Sequence, residues 1–135
     1  MKKLLLNETE VCRILNIKPN VLVYAERAGI VLQKVKIGRY YLYDVEDIIN
    51  WIKNSLKFDA TIPEELSTFE DDEAIEGIDA LALALSLPYR YTFYKVKNKV
   101  IPAEKVNGKY RFKVKDIKAW IHSLKKRRGN EVDKS

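Results

Sequence analysis

Bond-making chemistry asks for a nucleophile set against a base, and this chain has one histidine, His122, and one cysteine, Cys12, among 135 residues. Neither sits in a constellation of that kind, and no glycine-rich phosphate loop accompanies them, so no enzyme is expected. A lone cysteine forms no internal disulfide, and one cysteine with one histidine falls short of a four-ligand zinc site, so no metal or cofactor is expected. Cys12 reads as a small buried residue rather than a reactive thiol. What the chain has in quantity is cations interleaved with aromatic rings. Twenty-five Lys/Arg stand against 19 Asp/Glu, a formal net charge of +6. Residues 1–55 carry nine bases and six acids, residues 56–79 carry Lys57 against nine acids, and residues 80–135 carry fifteen bases and four acids. That last stretch, at +11, has the field of a polyanion binder.

The elements that must position these charges occur twice. IGRYYLYDVEDIINWI (37–52) returns as NGKYRFKVKDIKAWI (107–121), and LNIKPNVLVY (15–24) returns as LSLPYRYTFY (85–94). The offset is 70 through Leu42/Phe112 and 69 from Val45/Val114, a slip that falls between strand-like and helix-like residues. Two copies of a small unit, each of about 55 residues, replace one ordinary domain.

Within the first copy, Asn7-Glu8-Thr9-Glu10 has the form of a helix cap with a glutamate three residues on. Val11, Ile14 and Leu15 follow at helical spacing, giving a helix to about Asn16. Pro19 suits the first turn of a second helix, which Gly29 stops. Alternation then predicts a hairpin from Val31 to Tyr43 with Gly38 at its tip. Asp44 caps a third helix, from Val45 to about Ser55, with Ile48, Trp51 and Ile52 as its apolar stripe. In the second copy Asp79 caps the first helix, residues 91–97 form the second, and Lys99 stands where the glycine stop would be. The second hairpin points Val106, Tyr110, Phe112 and Val114 one way and Lys105, Lys109, Arg111 and Lys113 the other. Its third helix runs from Val114 to Leu124. Phe58 to Glu73 reads as an acidic linker with one helical turn at residues 63–66. Tyr24, Tyr40, Trp51, Tyr94, Tyr110 and Trp120 recur in both copies and read mostly as core. Tyr41, Tyr43, Tyr89 and Tyr91 are the better candidates for exposed contact.

Helix, turn, helix, hairpin, helix is the winged-helix plan in small form. Residues 17–31, IKPNVLVYAERAGIV, look like the recognition helix of MerR-type regulators. GRYYLYDVEDIINWI resembles the wing and following helix shared by MerR proteins and phage excisionase-like helix-turn-helix proteins. The resemblance covers 5–53 closely and 78–124 more loosely. It implies a mainly α fold with small β hairpins (α+β), as two tandem winged helix-turn-helix domains. These would span 1–55 and 75–126, with the acidic linker at 56–74 and a basic-to-mixed tail at 127–135. It also implies a second helix in the major groove and a wing on the backbone of double-stranded DNA. Carried over by position, the first unit offers Lys18, Asn20, Val21, Tyr24 and Arg27 from the helix and Arg39 and Tyr41 from the wing. The second offers Tyr89, Arg90, Thr92 and Lys95, with Lys109, Arg111 and Lys113. Asn and Arg can read base edges in pairs of hydrogen bonds, and Lys, Arg and Tyr on a wing reach phosphate.

The first unit departs from the family at Val23 and Tyr41, where MerR proteins carry arginines, and at Lys18, where a capping Ser or Thr is usual. The MerR dimerisation helix and effector domain have no counterpart, so no small-molecule ligand is expected. A transcriptional regulator or a phage or plasmid excisionase-like factor both fit. The alternative is a protein-interaction module, such as a phage-encoded inhibitor or an adaptor, that keeps the fold without strong DNA binding. A packaging-terminase small subunit is a third option. No apolar stretch approaches the ~20 residues of a membrane span, and the Leu4–Leu6 run is too short for a secretory signal, so a cytoplasmic, nucleoid-associated protein is expected. The acidic linker could also fold onto the cationic second unit and compete with phosphate.

Overall fold

Asn7 opens the first helix as its spacing requires. Its side chain accepts from the Glu10 backbone N–H at 2.8 Å, and the Glu10 carboxylate accepts from the Asn7 N–H at 3.1 Å. The computed structural model describes residues 2–27, 32–54 and 62–133. The stop at Gly29, the start of the hairpin at Val31, Ser55 and the linker's first residues lie outside them. Among the described residues the chain is mixed α+β, with six α-helices and two antiparallel three-stranded sheets.

Residues 1–68 form one unit and 69–135 another. The first contains β1 (Leu5–Asn7), α1 (Glu8–Leu15), α2 (Pro19–Arg27), β2 (Lys34–Ile37), β3 (Tyr40–Asp44) and α3 (Val45–Asn54). The second contains β4 (Ala74–Glu76), α4 (Ile78–Leu85), α5 (Tyr89–Lys97), β5 (Glu104–Val106), β6 (Lys109–Lys113) and α6 (Val114–Asp133). Sheet orders match: β1-β3-β2 and β4-β6-β5. The outer strands β1 and β4 are additions to the expected hairpins, and they tie the start of each unit to its last hairpin strand. Beyond them, Val45 donates to Leu4 O at 3.1 Å and Val114 to Glu73 O at 3.1 Å.

The duplication extends to the turns. Asn16 (φ 54) and Ser86 (φ 55) take the left-handed conformation at equivalent positions, and Ile17 N–H and Leu87 N–H close the same bond, to Cys12 O and Ala82 O, each at 3.0 Å. The hairpin tips differ. Asn107 (φ 54) and Gly108 (φ 80) are both left-handed, the combination a two-residue type I′ turn demands, whereas only Gly38 (φ 60) is so in the first hairpin. Asp44 caps α3 through the Glu46 N–H at 2.9 Å.

Three expectations are corrected. The cap of α4 is Gly77, so Asp79 lies within the first turn; the helix begins earlier because Ile78 is needed in the core, at 8% exposure. The last helix continues past Leu124 to Asp133, and Lys125 to Arg128, four good helix formers, carry it beyond the expected end. The acidic segment is not a free linker. Its turn at Glu64–Leu66 forms, but Leu66 is 2% exposed in the first unit's core and Lys3 donates to Ser67 O at 3.0 Å. From Phe69 on, the chain belongs to the second unit.

The first core gathers Leu6, Val11, Leu22, Tyr43, Val45, Ile48, Trp51 and Ile52. In the second, Ile75, Leu81, Leu85, Ile101, Phe112, Val114, Ile117 and Ile121 are buried. Cys12 packs against the first core, and burial, with Glu8 nearby, pushes its thiol pKa up. This is the environment of an inert cysteine.

At the exit of α5, Lys99 holds φ 61, a conformation that costs a side chain about 1 kcal/mol and glycine nothing. Val100 N–H reaches Lys95 O at 2.9 Å and Lys99 N–H reaches Val96 O at 3.1 Å, the bond pair of a Schellman stop. Lys99→Gly is expected to stabilise the second unit by about 0.5–1 kcal/mol, read as a raised midpoint in urea at constant slope. An unchanged or lowered midpoint would mean that the lysine side chain contributes packing there.

Candidate functional site

The first unit exposes most of the residues singled out from its sequence. Lys18, Asn20 and Arg27 of the α1–α2 turn and α2 are exposed, as is Arg39 at the hairpin tip. Tyr24 is 68% exposed and Tyr41 48%. Val21 does not belong with them, because it is half-buried and packs against the core cluster. Tyr24 and Tyr94 are surface residues rather than core, since both project from the outer arc of their helices. Tyr43 goes the other way. It pairs with Leu6 across β1 and β3 and is 1% exposed, so it is core rather than a contact residue. Tyr41 lies beneath two ammonium groups, Lys34 Nζ and Lys36 Nζ, each 5.7 Å from its ring centroid. Those two lysines join the hairpin's cationic surface although the family pattern did not single them out.

In the second unit Tyr89 (55% exposed) and Arg90 project from the start of α5, and Lys95 lies with its Nζ 5.2 Å from the Tyr91 ring centroid. Thr92 is a correction. It is fully buried, and its hydroxyl donates to Pro88 O at 2.9 Å, where it serves the helix start and reaches no ligand. The hairpin faces also need correcting. Register sets Lys105 opposite Tyr110 and Val106 opposite Lys109, so Lys105 joins the ring side and Val106 the cation side. The two-residue turn fixes this, because it pairs residues three apart and so shifts the alternation by one between the strands. On the cation side Arg111 Nε lies 3.2 Å from Glu76 Oε1, a charge contact rather than an aligned hydrogen bond. Lys113 Nζ lies 3.9 Å from Glu104 Oε2. Exposed pairs of this kind hold their partners loosely, at about 0–1 kcal/mol. Lys109 is exposed at the tip.

What the sequence reading missed is a cleft between the exit of α5 and the hairpin. It has a volume of about 450 Å³, and Lys97, Lys99, Lys105 and Tyr110 line it over the apolar Val96 and Ile101. Lys105 Nζ sits 5.0 Å from the Tyr110 ring centroid. Three lysines lining one concavity give it an anion-attracting field. The left-handed turn at Lys99 brings them together, and the signal available in the sequence was a lysine where the first unit has its glycine.

The acidic segment meets α6. Lys118 Nζ donates to Phe69 O at 2.9 Å and to Asp71 Oδ1 at 2.8 Å. The hydrogen bond from Lys118, and then its charge, hold the Asp71 carboxyl below the usual range. The Asp71 carboxylate therefore turns to α6 rather than to α5 or the hairpin. Among the described residues no group of three or more His, Cys, Asp or Glu could hold a metal ion, and no helix is long and apolar enough to cross a membrane. No protein-family model, curated protein or solved structure matches the chain.

Proposed function

We propose that this chain is a double-stranded DNA-binding protein made of two tandem winged helix-turn-helix units, with the second unit the stronger binder. The observation that carries this reading is the adjacency in the second unit of an exposed helix face bearing Arg90 to a cleft holding Lys97, Lys99 and Lys105. A helix in the major groove with cations beside it on the backbone is how such units dock. Counterion release then drives affinity and makes it fall steeply with salt. The role fits a transcriptional regulator or an excisionase-like factor.

Fluorescence anisotropy of the full chain against random-sequence duplexes, titrated from about 50 to 200 mM salt, tests the reading. Binding whose logarithm falls linearly with log salt is expected; no binding at the lowest salt would overturn it. Fragments should be cut between residues 68 and 69. A cut at 55 discards Leu66 from the first core, and a start at 75 removes the Glu73 carbonyl that receives Val114 N–H. The 69–135 fragment is expected to keep more duplex affinity than 1–68; the reverse order would overturn the assignment of the stronger unit.

A protein-docking role for the first unit has its own support. α2 exposes Val23 at 37% and Tyr24 at 68%, apolar surface on the helix that would otherwise read bases. Under this reading Tyr24→Ala leaves duplex affinity unchanged.

A further inference from the structure

We infer that the outer face of α5 is a stacking platform for unpaired bases, so that single-stranded DNA is a ligand of the second unit. The inference deepens the nucleic-acid reading above and shares its cationic surface, but it assigns α5 a different substrate.

The argument begins from the helix's angular order. Thr92 and Val96 point inward and are 0% and 4% exposed. At 100° per residue the opposite arc belongs to Arg90, Tyr94 and Lys97, flanked by Tyr89 and Phe93 on one side and by Tyr91 and Lys95 on the other. Tyr89 and Tyr94 are each 55% exposed. Single exposed rings are ordinary on a protein surface, but α5 carries two exposed rings, Tyr89 and Tyr94, and two half-buried ones, Tyr91 and Phe93, within nine residues. These rings are already organised. Tyr89 and Phe93 lie 6.3 Å apart and 22° from parallel, Phe93 and Tyr94 meet edge to face at 5.6 Å, and Lys97 Nζ stands 5.7 Å from the Phe93 centroid.

The chemistry of such a face suits flat π surfaces better than base-pair edges. The planar, forked side chains that read base edges in paired hydrogen bonds are Asn, Gln and Arg, and α5 has one of them, Arg90, against four rings. Rings alternating with ammonium groups are the composition that binds exposed bases and the backbone joining them. The duplication supplies an internal comparison. At the offset of 70, Tyr89, Arg90, Tyr91 and Phe93 stand where the first unit has Pro19, Asn20, Val21 and Val23, while Tyr24 and Tyr94 are shared. Both units keep one edge-reading residue, Asn20 or Arg90, but the second surrounds it with three rings where the first has Pro19, Val21 and Val23. A protein partner would also accept exposed rings, but the cations among them and the cleft of Lys97, Lys99 and Lys105 favour a polyanion.

The test uses the full chain, anisotropy at about 0.1 M salt, and three labelled probes: an oligothymidylate of ~16 nucleotides, an abasic strand with the same phosphates, and a duplex of equal length. The oligothymidylate is expected to bind at least about tenfold tighter than the abasic strand. Tyr89→Ala and Tyr94→Ala should each weaken it by about 5- to 150-fold while leaving the abasic strand within about twofold, and Tyr94→Phe should retain binding. Both tyrosines are largely exposed, so the fold tolerates their loss. Equal binding of the thymidylate and abasic strands, or alanine variants that bind thymidylate like the parent, would overturn the inference. Duplex binding without base-dependent single-strand binding overturns it and leaves the duplex reading standing. Base-dependent single-strand binding without duplex binding does the opposite, and binding to none of the three overturns both.

Discussion

Replacing Lys97, Lys99 and Lys105 together by alanine should weaken duplex binding about 500-fold at 0.1 M salt and lower the salt slope by about 2.7. Each lysine that neutralises a phosphate releases roughly 0.9 of a counterion from B-DNA, so three contacts account for both figures. The slope is the sharper readout, because it counts contacts whatever the sequence. The three residues line one cleft over buried Val96 and Ile101. Lys99→Ala keeps the left-handed backbone and its cost, so its effect on binding is free of the stability gain expected for Lys99→Gly. Lys53→Ala, which removes one exposed charge at the end of α3, sets the scale for a loss of net charge alone. An unchanged slope in the triple variant would mean that the cleft does not touch the backbone.

The parts of the fold that could be read from sequence are those whose signal is local. The Asn7–Glu10 cap, the proline start of α2, the Asp44 cap and the two hairpin tips each need only a few adjacent residues, and each is found where its residue types require it. β1 and β4 could not be read this way. Each is three residues long, and its hydrogen-bond partner lies more than thirty residues on, so neither periodicity nor turn chemistry announces it. The acidic stretch misled for a related reason. Its charge is high, but two of its apolar residues matter for packing: Leu66 is buried in the first core and Ile62 packs against it.

The candidate site shows the same division. The exposure of residues on α2 and at the hairpin tips follows from helix and strand geometry, but their selection as contacts rests on the family resemblance. Thr92 and Tyr43 were not separable from their exposed neighbours, because both residue types occur on surfaces and in cores. The cleft was invisible because it depends on the backbone conformation of one lysine, which the sequence marks only as the absence of a glycine.

Phe112→Ala should unfold the second unit while leaving the first intact. Phe112 is fully buried in β6, cross-strand from Ile75, at the point where the sheet meets the second core. Truncating a buried phenylalanine costs about 3–5 kcal/mol, through lost transfer energy and the cavity left behind. A unit of this size has a total stability in the lower part of the range of about 5–15 kcal/mol, so most of it would be spent. The named members of the first core cluster all lie between Leu6 and Leu66, and Phe112 is not among them. Amide exchange on the full chain is therefore expected to show protection lost across 69–133 and kept in α1, α3 and β3. Duplex binding should fall with it, to the level of the 1–68 fragment. Loss of protection in both halves at once would mean that the two cores fold as one cooperative body. The second unit would then owe its stability to the first, and binding differences between fragments would report folding rather than contact.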